Sequence, residues 1–76
     1  MTAYASGTLI PQEDASYYPV LASLEARRAL TVLEWRIIRH LAAGMSDAWI
    51  CETLACRPGD ITRARHQAAP WRGVAS

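Results

Sequence analysis

Three pieces of punctuation between residues 31 and 60 constrain this chain more than anything else in it. The first is Thr31 with Glu34 three residues on, a capping box in which each side chain satisfies the other residue's free backbone N–H. The second is Gly44-Met45-Ser46. Here glycine can take the left-handed conformation that ends one helix, Met45 folds back as its hydrophobic contact, and Ser46 caps the next helix. The third is Arg57-Pro58-Gly59. Proline suits the first turn of a helix, where its missing N–H costs nothing, and Asp60 adds a carboxylate favourable to the helix dipole. Helices separated by breaks this short must pack at steep angles.

These signals predict a second helix over about 32 to 43, a third opened by Ser46 ("DAWICETLA"), and a fourth over about 58 to 69 that stops before Pro70. Ahead of them, Tyr17, Val20 or Leu21, and Leu24 fall at helical spacing behind Asp14 and Ser16, either of which can cap, with Pro19 tolerable in the first turn. That gives a first helix from about 17 to 28. Residues 1–16 read as an extended arm and residues 70–76 as a short tail around one domain, 17–69. No strand signal competes, so the expected class is all-α: a helix-turn-helix bundle of about four short helices with an N-terminal arm. Leu30, Ile37, Ile38 and Leu41 share the inward face of the second helix. Ile50, Leu54, Cys56, Ile61 and Ala64 supply the apolar positions of the following pair, with small Cys51 at their closest approach.

Seventy-six residues allow one core, and 51% hydrophobic with 20% charged residues suits a globule rather than a disordered chain. The N-terminal stretch has neither a basic n-region nor an apolar run fit for a signal peptide or a membrane span, so no membrane association is expected. Cys51 and Cys56 are expected to point in different directions and to make a poor disulfide pair. A reducing cytoplasm is therefore the expected compartment. Net charge is +1, unevenly spread. Residues 1–56 carry four arginines against six acids, giving −2, while residues 57–76 carry four arginines against Asp60, giving +3.

The stretch "LTVLEWRIIRHLAAGMSDAWICETLACRPGDI" resembles the LuxR-type DNA-binding domain and, more distantly, the promoter-reading fourth region of bacterial sigma factors. Leu30-Thr31, Glu34, Ile37-Ile38, Leu41-Ala42, Gly44, Ser46, Ile50, Glu52, Leu54, Pro58-Gly59 and Ile61 carry the likeness, which covers roughly residues 30 to 68. It implies a helix-turn-helix whose last helix enters the major groove. Ala55 stands where that family has a turn glycine, so either a left-handed alanine or a different turn is expected. Arg57 replaces a serine cap, and "PWRGVAS" replaces the family's closing helix.

On this reading Ile61, Ala64 and Ala68 face inward, and the 100° step turns Thr62, Arg63, His66 and Gln67 outward as candidate base contacts. Arg63 suits guanine, Gln67 adenine, and Thr62 a base edge or thymine methyl. Arg57, Arg65 and Arg72 are candidate phosphate contacts. So small a total charge gives a monomer weak electrostatic affinity, so a homodimer on double-stranded DNA is expected, in the role of a transcriptional regulator.

A second reading keeps the fold but binds a protein. Trp35 and Trp49 lie off the inward faces, where large apolar groups need a cover. Either the first helix, with Tyr17, Tyr18 and Leu24, folds back over them, or Trp35, Trp49, Tyr17 and Tyr18 form a protein-binding face. Such a module would inhibit or adapt another regulator or the transcription machinery, as phage- or plasmid-type inhibitors do. His40, Cys51, Cys56 and His66 lack the paired close spacing of a zinc site, so no metal or cofactor is expected. No Ser/His/Asp set or facing carboxylate pair is suggested either, and the chain is not expected to be an enzyme.

Overall fold

In the computed structural model, which describes residues 12–73, every element of regular structure is helical. A 3₁₀ turn, Ala15–Tyr17, leads into α1 (Tyr18–Ala22) and α2 (Leu24–Ala29). Then follow α3 (Val32–Ala42), α4 (Asp47–Leu54), α5 (Pro58–Ala68) and a closing 3₁₀ turn, Ala69–Trp71. The protein is an all-α bundle, and α3 is its central member, packing on the first turn, α1, α4 and α5.

The local signals work as their chemistry requires. Thr31 Oγ1 accepts from Glu34 N–H at 3.1 Å and Glu34 Oε1 accepts from Thr31 N–H at 3.0 Å, closing the capping box of α3. Glu34 is buried, yet this bond gives its carboxylate a partner. Ser46 Oγ accepts from Trp49 N–H and starts α4. At α5, Asp60 Oδ2 accepts from the backbone N–H of Arg57, so the carboxylate serves the cap as well as the dipole. Ile37, Ile38, Ile50, Ile61, Ala64 and Ala68 are fully enclosed, and Tyr17, Val20, Ala26, Leu30, Leu41 and Ala42 complete the core.

The expected first helix over 17–28 is instead two helices. Ser23 is extended (φ −92°, ψ 121°) and its Oγ accepts from Ala26 N–H, so the serine ends α1 and caps α2 in one residue. The break leaves Leu24 62% exposed, although unbroken periodicity had it facing inward.

The expected arm and tail are also docked where they are described; residues 1–11 of the arm and 74–76 of the tail lie outside the described residues. Asp14 N–H donates to the Ala42 carbonyl at 2.8 Å, and Asp14 caps the first 3₁₀ turn. At the other end Gly73 N–H donates to the Ser16 carbonyl at 2.7 Å. Arg72 closes the clasp with Nε on Ser16 Oγ at 2.7 Å, Nη2 on Asp14 Oδ2 at 3.2 Å and its guanidinium 4.3 Å from the Tyr17 ring centroid. The two ends of the described chain thus hold one another. The described residues contain no helix long and apolar enough to cross a membrane.

Candidate nucleic-acid interface

Helix α5 packs on α3 and α4 through a face of three enclosed residues. Ile61, Ala64 and Ala68 are each 0% exposed against α3 and α4. At 100° per residue this fixes the opposite face, and Thr62, Arg63, His66 and Gln67 are all exposed there, as expected. Thr62 Oγ1 donates back to the Pro58 carbonyl at 3.3 Å, leaving its methyl as the group on offer. Arg63 makes no ion pair among the described residues. Arg57 stands exposed at the mouth of the helix, its side chain likewise without an ion-pair partner among the described residues.

The other two arginines assigned to phosphate are engaged within the chain. Arg65 is bidentate with Asp47 at the start of α4, Nη2 to Oδ1 at 2.8 Å and Nη1 to Oδ2 at 3.1 Å. The pair crosses from α5 to α4, and the Asp47 carboxylate pushes the Arg65 guanidinium above its ordinary range. Arg72 belongs to the terminal clasp. There the Ser16 hydroxyl, and after it Arg72, hold Asp14 below the usual carboxylate range. The stabilisation linked to that lowering is present at neutral pH and is lost as pH falls through the depressed value.

The aromatic set divides. Tyr17 does not belong to a surface face: the 3₁₀ turn carries its ring into the core, where it is 2% exposed, and its hydroxyl has no hydrogen-bond partner among the described residues. Trp35 packs half-buried on the core with the Arg27 guanidinium 5.8 Å from its ring centroid. From α2 the Arg27 guanidinium lies over this ring, while Leu24 stands exposed. Tyr18 is exposed and its hydroxyl donates to Glu13. Trp49 remains 41% exposed, its ring 5.3 Å from that of His40.

A second basic surface was missed from the sequence. Arg36, Arg39, His40, Ala43 and Leu54 line one cleft, and Arg27, Trp35, Arg36 and Arg39 border an adjoining one. His40 is oriented by Nδ1 donating to the Arg36 carbonyl at 2.7 Å. The available signal was the i, i+3, i+4 spacing of Arg36, Arg39 and His40, which places them on one flank of a helix. Summing charge over residues 1–56 as a block conceals it, because acids elsewhere in that block cancel these arginines on paper and not in space.

The turn between α4 and α5 takes the left-handed alternative: Ala55 has φ 54° and ψ 41°. This geometry joins the backbones of the two cysteines that spacing alone had at separate places on a helix and its exit. Cys56 N–H donates to the Cys51 carbonyl at 3.1 Å, folding the chain back so that the two residues adjoin. Burial and then the adjacent Cys51 push the Cys56 thiol up. Both cysteines are free, and among the described residues no three His, Cys, Asp or Glu side chains converge as a metal site. Compared with models of protein families, with curated proteins and with solved structures, the chain matches none.

Proposed function

We propose that this protein is a small DNA-binding transcriptional regulator of the cytoplasm that reads the major groove with α5, in the manner the LuxR-type resemblance implies. The supporting observation is the division of that helix: Ile61, Ala64 and Ala68 are enclosed, while Thr62, Arg63, His66 and Gln67 stand exposed. Arg63 offers a bidentate donor to guanine O6 and N7, Gln67 pairs with adenine, and the Thr62 methyl meets a thymine methyl. Arg57 contacts phosphate at the entrance of the helix and sets register. Arg65 and Arg72 contribute only if phosphate displaces Asp47 and Asp14, so a single copy offers few free cations. A homodimer on two half-sites doubles that number.

The test is fluorescence anisotropy on duplex genomic fragments across a salt series. Binding should weaken steeply with salt, and Arg63→Ala should cost about 1–3 kcal/mol, or roughly ten- to a hundredfold, on a preferred site. Absence of binding at low salt defeats this reading.

One observation favours a protein partner as the second reading. Trp49 is 41% exposed, lies tilted against the His40 ring, and so adjoins the cleft that Arg36, Arg39 and Leu54 line. Aromatic and arginine anchors of this kind suit an interaction module that inhibits or adapts another regulator. A specific partner retained by the wild type and lost in Trp49→Ala, together with failure to bind DNA, would favour it.

A further inference from the structure

The α4–α5 turn carries a pair of groups that the DNA-reading face does not use. Ala55 is the left-handed residue, and the Cys51 carbonyl accepts from both Ala55 N–H and Cys56 N–H, the latter at 3.1 Å. The second bond spans six residues, the pattern of the Schellman motif, whose first and last residues characteristically touch through their side chains. Here both are cysteines. Cys56 Sγ also lies 3.9 Å from the Ile50 carbonyl, so its thiol turns back onto the last turns of α4, where Cys51 sits. Both thiols are reduced and half-buried, and both pack against the core.

We propose that Cys51 and Cys56 form a dithiol modification site that closes to an intramolecular disulfide by exchange with a low-molecular-weight disulfide of the glutathione class. A disulfide takes α-carbons about 4.4–6.8 Å apart, and the bond from Cys56 N–H to the Cys51 carbonyl already holds the two backbones together at this turn.

The chemistry balances without a metal or cofactor. One protein thiol loses its proton to solvent, and its thiolate attacks a sulfur of glutathione disulfide; an S–S bond to protein forms while the S–S bond of the reagent breaks, expelling one glutathione thiolate. The second protein thiolate then attacks the protein sulfur of that mixed disulfide and expels the second glutathione. Two protein thiols are oxidised to one disulfide, and one glutathione disulfide is reduced to two glutathione thiols, which take up the two protons.

The experiment equilibrates the full chain with graded ratios of glutathione and glutathione disulfide, quenches with acid and alkylating reagent, and reads intact mass and oligomer size. The expected product is a monomer lighter by two hydrogens that no longer takes alkylating reagent and regains both sites on reduction. Cys51→Ser and Cys56→Ser should each stop at a mixed glutathione adduct. Closure in the folded protein should occur at a redox ratio at least tenfold more reducing than in the same chain unfolded by urea, where the turn is absent. Two mixed adducts, a disulfide-linked dimer, no reaction, or equal closure in urea would each overturn the proposal.

Discussion

The chain reverses on either side of α4, and the two reversals share a hydrogen bond that spans six residues, built from different side chains. At the first, Met45 N–H donates to the His40 carbonyl at 3.1 Å and Gly44 N–H to that of Leu41 at 3.0 Å. At the second, Cys56 and Ala55 N–H groups share the Cys51 carbonyl. Both turns need one left-handed residue; it is Gly44 at φ 86° in one and Ala55 at φ 54° in the other. The difference lies in what covers them. A Cβ on Gly44 would run into the backbone of Gln12, whereas Ala55 is exposed. Glycine is required at the first turn by torsion and by space, but at the second by torsion alone, and there alanine can be carried as strain.

Gly44→Ala is the change that breaks this comparison hardest. A left-handed alanine costs about 1–2 kcal/mol. Displacing the Gln12 segment also endangers the adjoining bond from Asp14 N–H to Ala42, worth about 1 kcal/mol. A total of about 2–3 kcal/mol is expected by urea unfolding, with the loss extending to the terminal clasp. A cost no larger than 1 kcal/mol would mean that the cover over the first turn is not tight.

Ala55→Gly should sharpen the comparison in the opposite direction. Relief of about 1–2 kcal/mol of left-handed strain is partly offset by the greater freedom of glycine in the unfolded chain, about 0.5–1 kcal/mol. The net expectation is a gain of about 0.5–1 kcal/mol, or roughly 3–8 °C in the melting midpoint of a domain this size. Destabilisation instead would show that the alanine methyl makes a contact that outweighs its torsional cost.

The same two turns show where sequence is informative. Thr31, Glu34, Gly44, Ser46 and Pro58 act on backbone groups within a few residues of themselves, so their meaning is legible locally and the bounds of α3, α4 and α5 follow. Ser23 is as local, but the apolar spacing of Val20, Leu21 and Leu24 runs across it and hides the break. For the candidate interface, the outward set Thr62, Arg63, His66 and Gln67 follows from which alanines and isoleucine are inward. The engagement of Arg65 and Arg72 does not, because their carboxylate partners lie 18 and 58 residues away. The meeting of Cys51 with Cys56 fell between these cases. It depends on a left-handed torsion at Ala55 that the residue itself disfavours, so the spacing of the two cysteines does not announce it.

The smallest expected effect on stability concerns the tie between the two turns. Asp47 follows the first and Arg65 lies beyond the second, so their pair fastens the start of α4 to the middle of α5. Their side chains are 51% and 41% exposed, so screening by water leaves the pair worth about 0.2–1 kcal/mol, and Asp47→Asn should destabilise by no more than that. Its effect on nucleic-acid binding should be larger and of opposite sign. The substitution removes a negative charge near the proposed interface and frees a guanidinium for phosphate. Each phosphate newly neutralised steepens the dependence of log affinity on log salt by about 0.9. If α5 is the reading helix, Asp47→Asn should therefore bind duplex DNA more tightly at low salt, with a steeper slope, while melting slightly earlier than the wild type. An unchanged slope would place Arg65 away from the phosphate path and confine its role to holding the two turns in register.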